Sequence, residues 1–306
     1  MKLLQYSIPV TICVGMNNAG NMIDMFNIIP RLMVGGVLKT DASILQSYLG
    51  KSQQLINVPA AIIVSLSIAL LPAISAAVVR GDSYSVREKI NYAFRLCFIV
   101  SFPAMIGFAA ISKSIYVVFG YDGYELLLFG SVIVVLMSVV QIQASILQGM
   151  SKLYAVTIFI TVGMIVKIII NFFLFSVPQI NIYGAIIGSV FGYLISIYLS
   201  NRLMKKVLKV KFSIISHALK PLFSSAVMGA VVFGLYNLVD VILKINTANG
   251  SKYFANIIAL LICVCVGGIV YFVAMAMVSG ITKEDVKAFP SRIRRFIPMS
   301  FIRLLR

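Results

Sequence analysis

Apolar residues run through this chain in eight long stretches, with polar residues gathered mostly between them. A helix of about 20 residues crosses the hydrocarbon core of a bilayer. Stretches of about that length fall at 8–29, 54–78, 94–118, 125–148, 154–177, 183–203, 219–243 and 254–279. The pattern predicts an all-α, polytopic membrane bundle of about eight transmembrane helices. Composition sharpens this: 60% of the 306 residues are apolar and 11% charged, against about a quarter charged in an average soluble domain. The length suits one membrane bundle without a folded soluble domain beside it.

Charge sets the expected orientation. The net charge is +17, and the basic residues collect in alternate connections. Six lie from Arg202 to Lys220, seven from Lys283 to Arg306 and four from Arg80 to Arg95, with Lys2 and Lys152 on the same side. The other side has Arg31, Lys39, Lys51, Lys113, Lys244 and Lys252. The positive-inside rule therefore predicts that both termini are cytoplasmic. Retention beside spans and attraction to anionic membrane lipids account for this charge, so no nucleic-acid partner is expected.

Cys13, Cys97, Cys263 and Cys265 lie within apolar stretches and read as small packing residues, with no disulfide framework or metal-ligand spacing. The first stretch contains Asn17, Asn18, Asn21 and Asp24 and is too long and polar for a signal peptide, so it reads as a retained span. Two connections are longer than the rest. Residues 30–53 read as a loop with a helical approach to the second span, and 79–93 as a charged helical loop.

A 6 + 2 division follows: a six-helix transmembrane lobe over 1–203, a basic cytoplasmic loop plus an extra transmembrane helix pair over 204–282, and a basic tail over 283–306. In the tail Ile293, Phe296, Ile297, Phe301 and Leu304 share one helical face opposite Arg292, Arg295, Arg303 and Arg306. That suits an amphipathic helix at the membrane surface; a disordered basic tail is the alternative.

Polar residues inside spans are costly and usually face a cavity or another helix. Asn17, Asn21, Asp24 and Arg31 fall on one face of the first span. Ser138, Gln141, Ser145 and Gln148 form a second polar stripe in the fourth, and Lys167 and Asn171 lie one turn apart in the fifth. Together they predict an aqueous, anion-attracting cavity. The competing reading is interhelical hydrogen bonding, with Asp24 paired to Arg31 or another helix. Pro59 and Pro72 bracket the second span: Pro59 is expected in its first turn, and Pro72 is expected to kink or end it. Broken helices of this kind serve transporters as flexing elements.

Enzymatic chemistry has little to stand on. The single histidine, His217, lies in the basic loop, and nine dispersed acids form no D-x-D pair or phosphate loop. No catalytic residues, metal or cofactor are expected.

The run INVPAAIIVSLSIALLPAISAA (Ile56–Ala77), followed by Val86–Gly120 with Phe94-Arg95-Leu96, Pro103 and the Phe119-Gly120 turn, resembles the multidrug/oligosaccharidyl-lipid/polysaccharide exporter superfamily. Within it the polysaccharide biosynthesis branch is most similar, in particular the stage V sporulation protein B group and the lipid II flippases. LQGMSK (Leu147–Lys152) and GAIIGSVFGY (Gly184–Tyr193) fit as well.

The resemblance implies a bacterial inner-membrane flippase that moves undecaprenyl-pyrophosphate-linked sugars to the outer leaflet by alternating access. Whole members look like two six-helix lobes around a central cavity, and this chain matches the second lobe plus a helix pair. A missing N-terminal lobe, from the same gene or a separate chain, is the partner this implies, or else a second copy.

The substrate is then a lipid-linked glycan, with Arg31, Lys51 and Lys167 attracting its pyrophosphate. Asn17, Asn21, Asp24, Gln141, Gln148 and Asn171 are expected along the same cavity. Lipid II flippases carry an arginine five residues before the first proline of the second span. Gln54 stands there, with Lys51 nearby, which leaves other lipid-linked glycans open. A drug/cation antiporter of the same superfamily is the alternative, and a non-transporting scaffold or remnant another.

Overall fold

The computed structural model describes residues 15, 20, 22–208, 214–243 and 253–278. Asn17, Asn21, most of the expected first span, residues 209–213 and the tail 283–306 lie outside them. The described chain is helical: α1 (22–34), α2 (Lys39–Val79), α3 (Ser83–Phe119), α4 (Glu125–Gly130), α5 (Val132–Gly149), α6 (Leu153–Leu174), a 3-10 turn (Asn181–Tyr183), α7 (Gly184–Leu208), α8 (Ile214–Leu243) and α9 (Tyr253–Met277). Among the described residues seven helices are long and apolar enough to cross a membrane, α4 and α5 counting as one. They correspond to the second through eighth expected spans.

The second span differs from expectation. α2 runs for 41 residues, about 60 Å at 1.5 Å per residue and twice the hydrocarbon thickness. Residues 39–53, expected as a connection, are its first part. Pro59 is therefore far inside the helix rather than in its first turn, and α2 continues past Pro72 to Val79. A proline removes one hydrogen bond, while the bonds on either side hold. Ala42, Leu49, Ser52, Ile56 and Ile63 bury one continuous face along this length.

The charged segment after α2 is likewise helix. Gly81 (φ +69°) turns the chain, and the Asp82 carboxylate accepts the Ser85 amide at 3.0 Å to start α3. At the other end Gly120 (φ +65°) closes α3 in the left-handed conformation, at the Phe119-Gly120 turn that the sequence indicates. Helical geometry is interrupted once in α3, at Ile111 (φ −117°, ψ 16°).

Three apolar clusters hold the bundle. One joins α2, α3, α5 and α7 through Ile74, Phe94, Phe98, Ile146 and Met204. A second joins α3, α8 and α9 through Ile115, Tyr116, Val232, Tyr236 and Tyr271. The third packs α1, α2 and α4 with the α6–α7 junction through Leu32, Leu49, Leu126 and Phe175. Polar tethers cross these contacts: Ser145 donates to the Ser67 carbonyl (2.6 Å), Ser52 to Leu126 (3.1 Å) and Tyr271 to Ile99 (2.9 Å). Cys97 and Cys263 are buried as small packing residues, whereas Cys265 is exposed.

Candidate functional site: a polar cavity beside an ion pair

The site is built on the contact between α6 and α7. Gly184, Gly188, Gly192, Ser196 and Ser200 recur every fourth residue along α7, and small residues on one stripe let two helix backbones approach closely. Gly192 faces Gly163 of α6: a Cβ at Gly192 would lie 2.6 Å from the Gly163 carbonyl oxygen, and one at Gly163 would lie 2.5 Å from that of Gly192. Ser196 donates across the seam to the Phe159 carbonyl at 3.1 Å. One turn away, the space that a Cβ at Gly188 would need is taken by the Asn171 amide oxygen.

This seam fixes Lys167 and Asn171, and both meet α1. The Lys167 ammonium lies 2.8 Å from Asp24 Oδ2, and Asn171 Nδ2 donates to Asp24 Oδ1 at 3.0 Å. Asn171 is buried at 1% exposure. Asp24 thus pairs with α6 rather than with Arg31. Arg31 lies on the same face of α1, seven residues on, with its guanidinium 3.2 Å above the Phe172 ring. Lys51 sits 3.5 Å above the ring of Tyr121. Both contacts let a cation lie against apolar surroundings through the quadrupole of an aromatic ring.

Lys167 also lines a cavity of about 140 Å³ among α2, α5, α6 and α7, with Gly20 of the first span on its wall. Its polar wall comprises Gln53 and Asn57 of α2, Lys167 of α6, and Ser189, Tyr193 and Ser196 of α7; Ile56, Ile133, Met137, Val140 and Met164 are among the apolar remainder. Gln53 and Asn57 are exposed, so the cavity opens on their side. Of the sequence-predicted residues, Lys167 lines this space, Asp24 and Asn171 stand behind it, and Arg31, Lys51, Gln141 and Gln148 are not on its wall. In the fourth-span stripe Ser138 bonds its own helix and Ser145 bonds α2, so these hydroxyls join backbone rather than solvent. Among the described residues no group of three or more His, Cys, Asp or Glu could hold a metal ion.

Gln53 went unassigned in the sequence because 30–53 reads as a connection, and Asn57 because it stands at the start of the span at 54–78, where the next turn on its face is apolar. Their four-residue spacing, carried on an unbroken α2, is the signal that finds them. Ser189, Tyr193 and Ser196 follow the same logic on α7.

No protein-family model matches the chain. In sequence it is similar to the lipid II flippase MurJ of Bacillus subtilis, 25% identical over 227 residues that make up 72% of this chain and 41% of that protein. It is also similar to the uncharacterized membrane protein YabM of the same organism, 26% identical over 97% of this chain and 55% of that one. The chain spans about half the length of these curated relatives.

Among solved structures, an outward-facing multidrug resistance MATE family transporter of the MOP superfamily matches 90% of this chain and 62% of its own, with a TM-score of 0.56 at 15% identity. A MOP superfamily transporter from Pyrococcus furiosus matches over the same shares with a TM-score of 0.55, also at 15% identity. The chain has the MOP transporter fold. The ion pair and the cavity lie within that fold.

Proposed function

We propose that this chain is one lobe of a flippase that carries lipid-linked oligosaccharide or polysaccharide precursors from the inner to the outer leaflet of a bacterial inner membrane. The observation that carries the reading is a lysine on the wall of a polar cavity, within a largely apolar helix. An ionisable side chain in such a setting marks a substrate path, and an ammonium suits the phosphate of a lipid-linked sugar. Gln53, Asn57 and Tyr193 then offer donors and acceptors to its hydroxyls, and the Ser189 and Ser196 oxygens, whose protons go to backbone carbonyls, offer acceptors. The prenyl tail stays in lipid. Similarity to a protein named a lipid II flippase supports the same class.

The cavity has one lobe's walls, and the relatives are about twice as long. A companion lobe, from the same gene or a separate chain, completes it in this reading. Both termini face the cytoplasm, as the basic connections favour. Arg31 and Lys51 guide the anion near the outer rim, and Pro59 and Pro72 give α2 its points of flexure.

A drug or cation antiporter is the second reading. It is less favoured because a cation entering this cavity meets an ammonium, and the acid behind it is already engaged by that ammonium. The test is transfer of a fluorescent undecaprenyl-pyrophosphate sugar between leaflets of vesicles containing this chain with its companion lobe. Lys167→Ala is expected to abolish transfer. Unaltered transfer rejects the site, and efflux of a cationic dye in its place selects the antiporter.

A further inference from the structure

The Asp24–Lys167 pair is asymmetric, and its asymmetry assigns different parts to the two charges. Lys167 lines the cavity, and among the described residues it is the one charged side chain on that wall. Asp24 is absent from the wall and reaches Lys167 from behind. Its two oxygens are divided, Oδ2 to the ammonium and Oδ1 to Asn171. Asn171 is fixed in turn, buried and seated where α7 has no side chain at Gly188. A lysine is a compact charge on a flexible four-carbon stem. The carboxylate is therefore held from two sides, while the ammonium stands at the cavity wall on a stem that can turn.

We infer that Asp24 is a resident counter-anion, holding Lys167 while the cavity is empty and yielding it to the phosphate of an entering substrate, while Asn171 keeps hold of Asp24. This rests on the proposed passage of an anionic head group. The physical gain is that Lys167 is paired both before and after the exchange. An ammonium stranded among apolar helices is costly, and so is a carboxylate that has lost its partner. Binding becomes a swap of one anion for another, which keeps the affinity moderate and permits release on the far side. The swap also selects: a neutral or cationic molecule has nothing to offer Lys167 in exchange for Asp24.

The test uses the purified chain with its companion lobe in lipid nanodiscs, with farnesyl pyrophosphate as the probe, followed by calorimetry. Asp24→Asn removes the competing charge at constant shape and is expected to bind at least about tenfold tighter than the native chain, a difference of about 1.4 kcal/mol. Lys167→Met and the double variant Asp24→Asn/Lys167→Met are expected to lose binding. Asn171→Ala, which leaves Asp24 without its second donor once Lys167 departs, is expected to bind more weakly; this arm stands even if Asp24→Asn fails to fold.

A folded Asp24→Asn chain that binds no tighter, or an Asn171→Ala chain that binds as well as native, overturns the inference. If Lys167→Met still abolishes binding in that case, the anionic-substrate reading survives alone. If Lys167→Met binds like the native chain, that reading falls as well.

Discussion

Gly163 and Gly192 face each other across α6 and α7 with room for a side chain on neither, each carbonyl oxygen standing within 2.5–2.6 Å of where the other residue's Cβ would be. Backbone is rigid, so a methyl group there has to push the helices apart. Gly192→Ala is expected to cost roughly 1–3 kcal/mol, the usual penalty of overpacking, and to lower the thermal midpoint in detergent. Gly234→Ala in α8, where nothing lies within 4 Å, is the control and is expected to leave the midpoint unchanged or raised.

The ion pair should behave as a coupled unit. Lys167→Met leaves Asp24 with Asn171 alone, and the side chains of the pair retain 17% and 11% exposure. A loss of roughly 2–4 kcal/mol is expected, somewhat below that for breaking a fully buried pair. Adding Asp24→Asn should recover most of it, and a double-mutant cycle in chemical denaturation measures the coupling. Additive losses would show that the two residues act separately.

A second polar cluster joins α8, α9 and α3. Tyr236 donates to Asn256 Oδ1 at 3.1 Å, and Asn256 Nδ2 donates to the Ser114 carbonyl at 3.4 Å. Tyr236→Phe removes a donor from a side chain buried at 1% exposure and is expected to destabilise by roughly 1–3 kcal/mol. Hydrogen exchange should then quicken in α9 more than in α6.

The start of α3 carries a pH dependence with a definite sign. The Ser85 backbone amide, donating to the Asp82 carboxylate, holds its pKa below the ordinary value of 3.8. The capping contribution is complete above about 3.8 and disappears as pH falls through the lower, folded-state value. Amide exchange at Ser85 and Val86, corrected for intrinsic rates, should lose protection on acidification in the native chain. Asp82→Asn, which keeps an acceptor and cannot titrate, should show no such transition.

Much of the fold was legible because hydrophobic stretches of bilayer length mark helices whatever their packing. Seven of the expected spans correspond to helices in the described chain. Lys167, Asn171 and Asp24 stand out in the sequence because polarity inside a span needs a partner; that they partner one another is visible only in the structure. Helix continuity was harder to read. Pro59 resembles a helix start in sequence, and only the packing of Ala42, Leu49 and Ile56 below it reveals that α2 begins at Lys39. Arg31 and Lys51 show a different limit, since a charge count does not reveal that Phe172 and Tyr121 lie beneath them. Nor does a stripe of Ser and Gln distinguish solvent from a neighbouring carbonyl, as Ser145 on Ser67 demonstrates.

The interlocked glycines of α6 and α7 have a mechanical consequence. Two helices in backbone contact slide or tilt as a single plate, so Lys167, Ser189, Tyr193 and Ser196 travel together. The opposing wall, from α2 and α5, is a second plate riveted by the Ser145–Ser67 bond. Between the plates run the shared core of Ile146 and Met204 and the 3.5 Å contact of Gln143 with the Ile197 carbonyl. Any relative travel of the two panels has to shear the core in which Ile146 of α5 meets Met204 of α7.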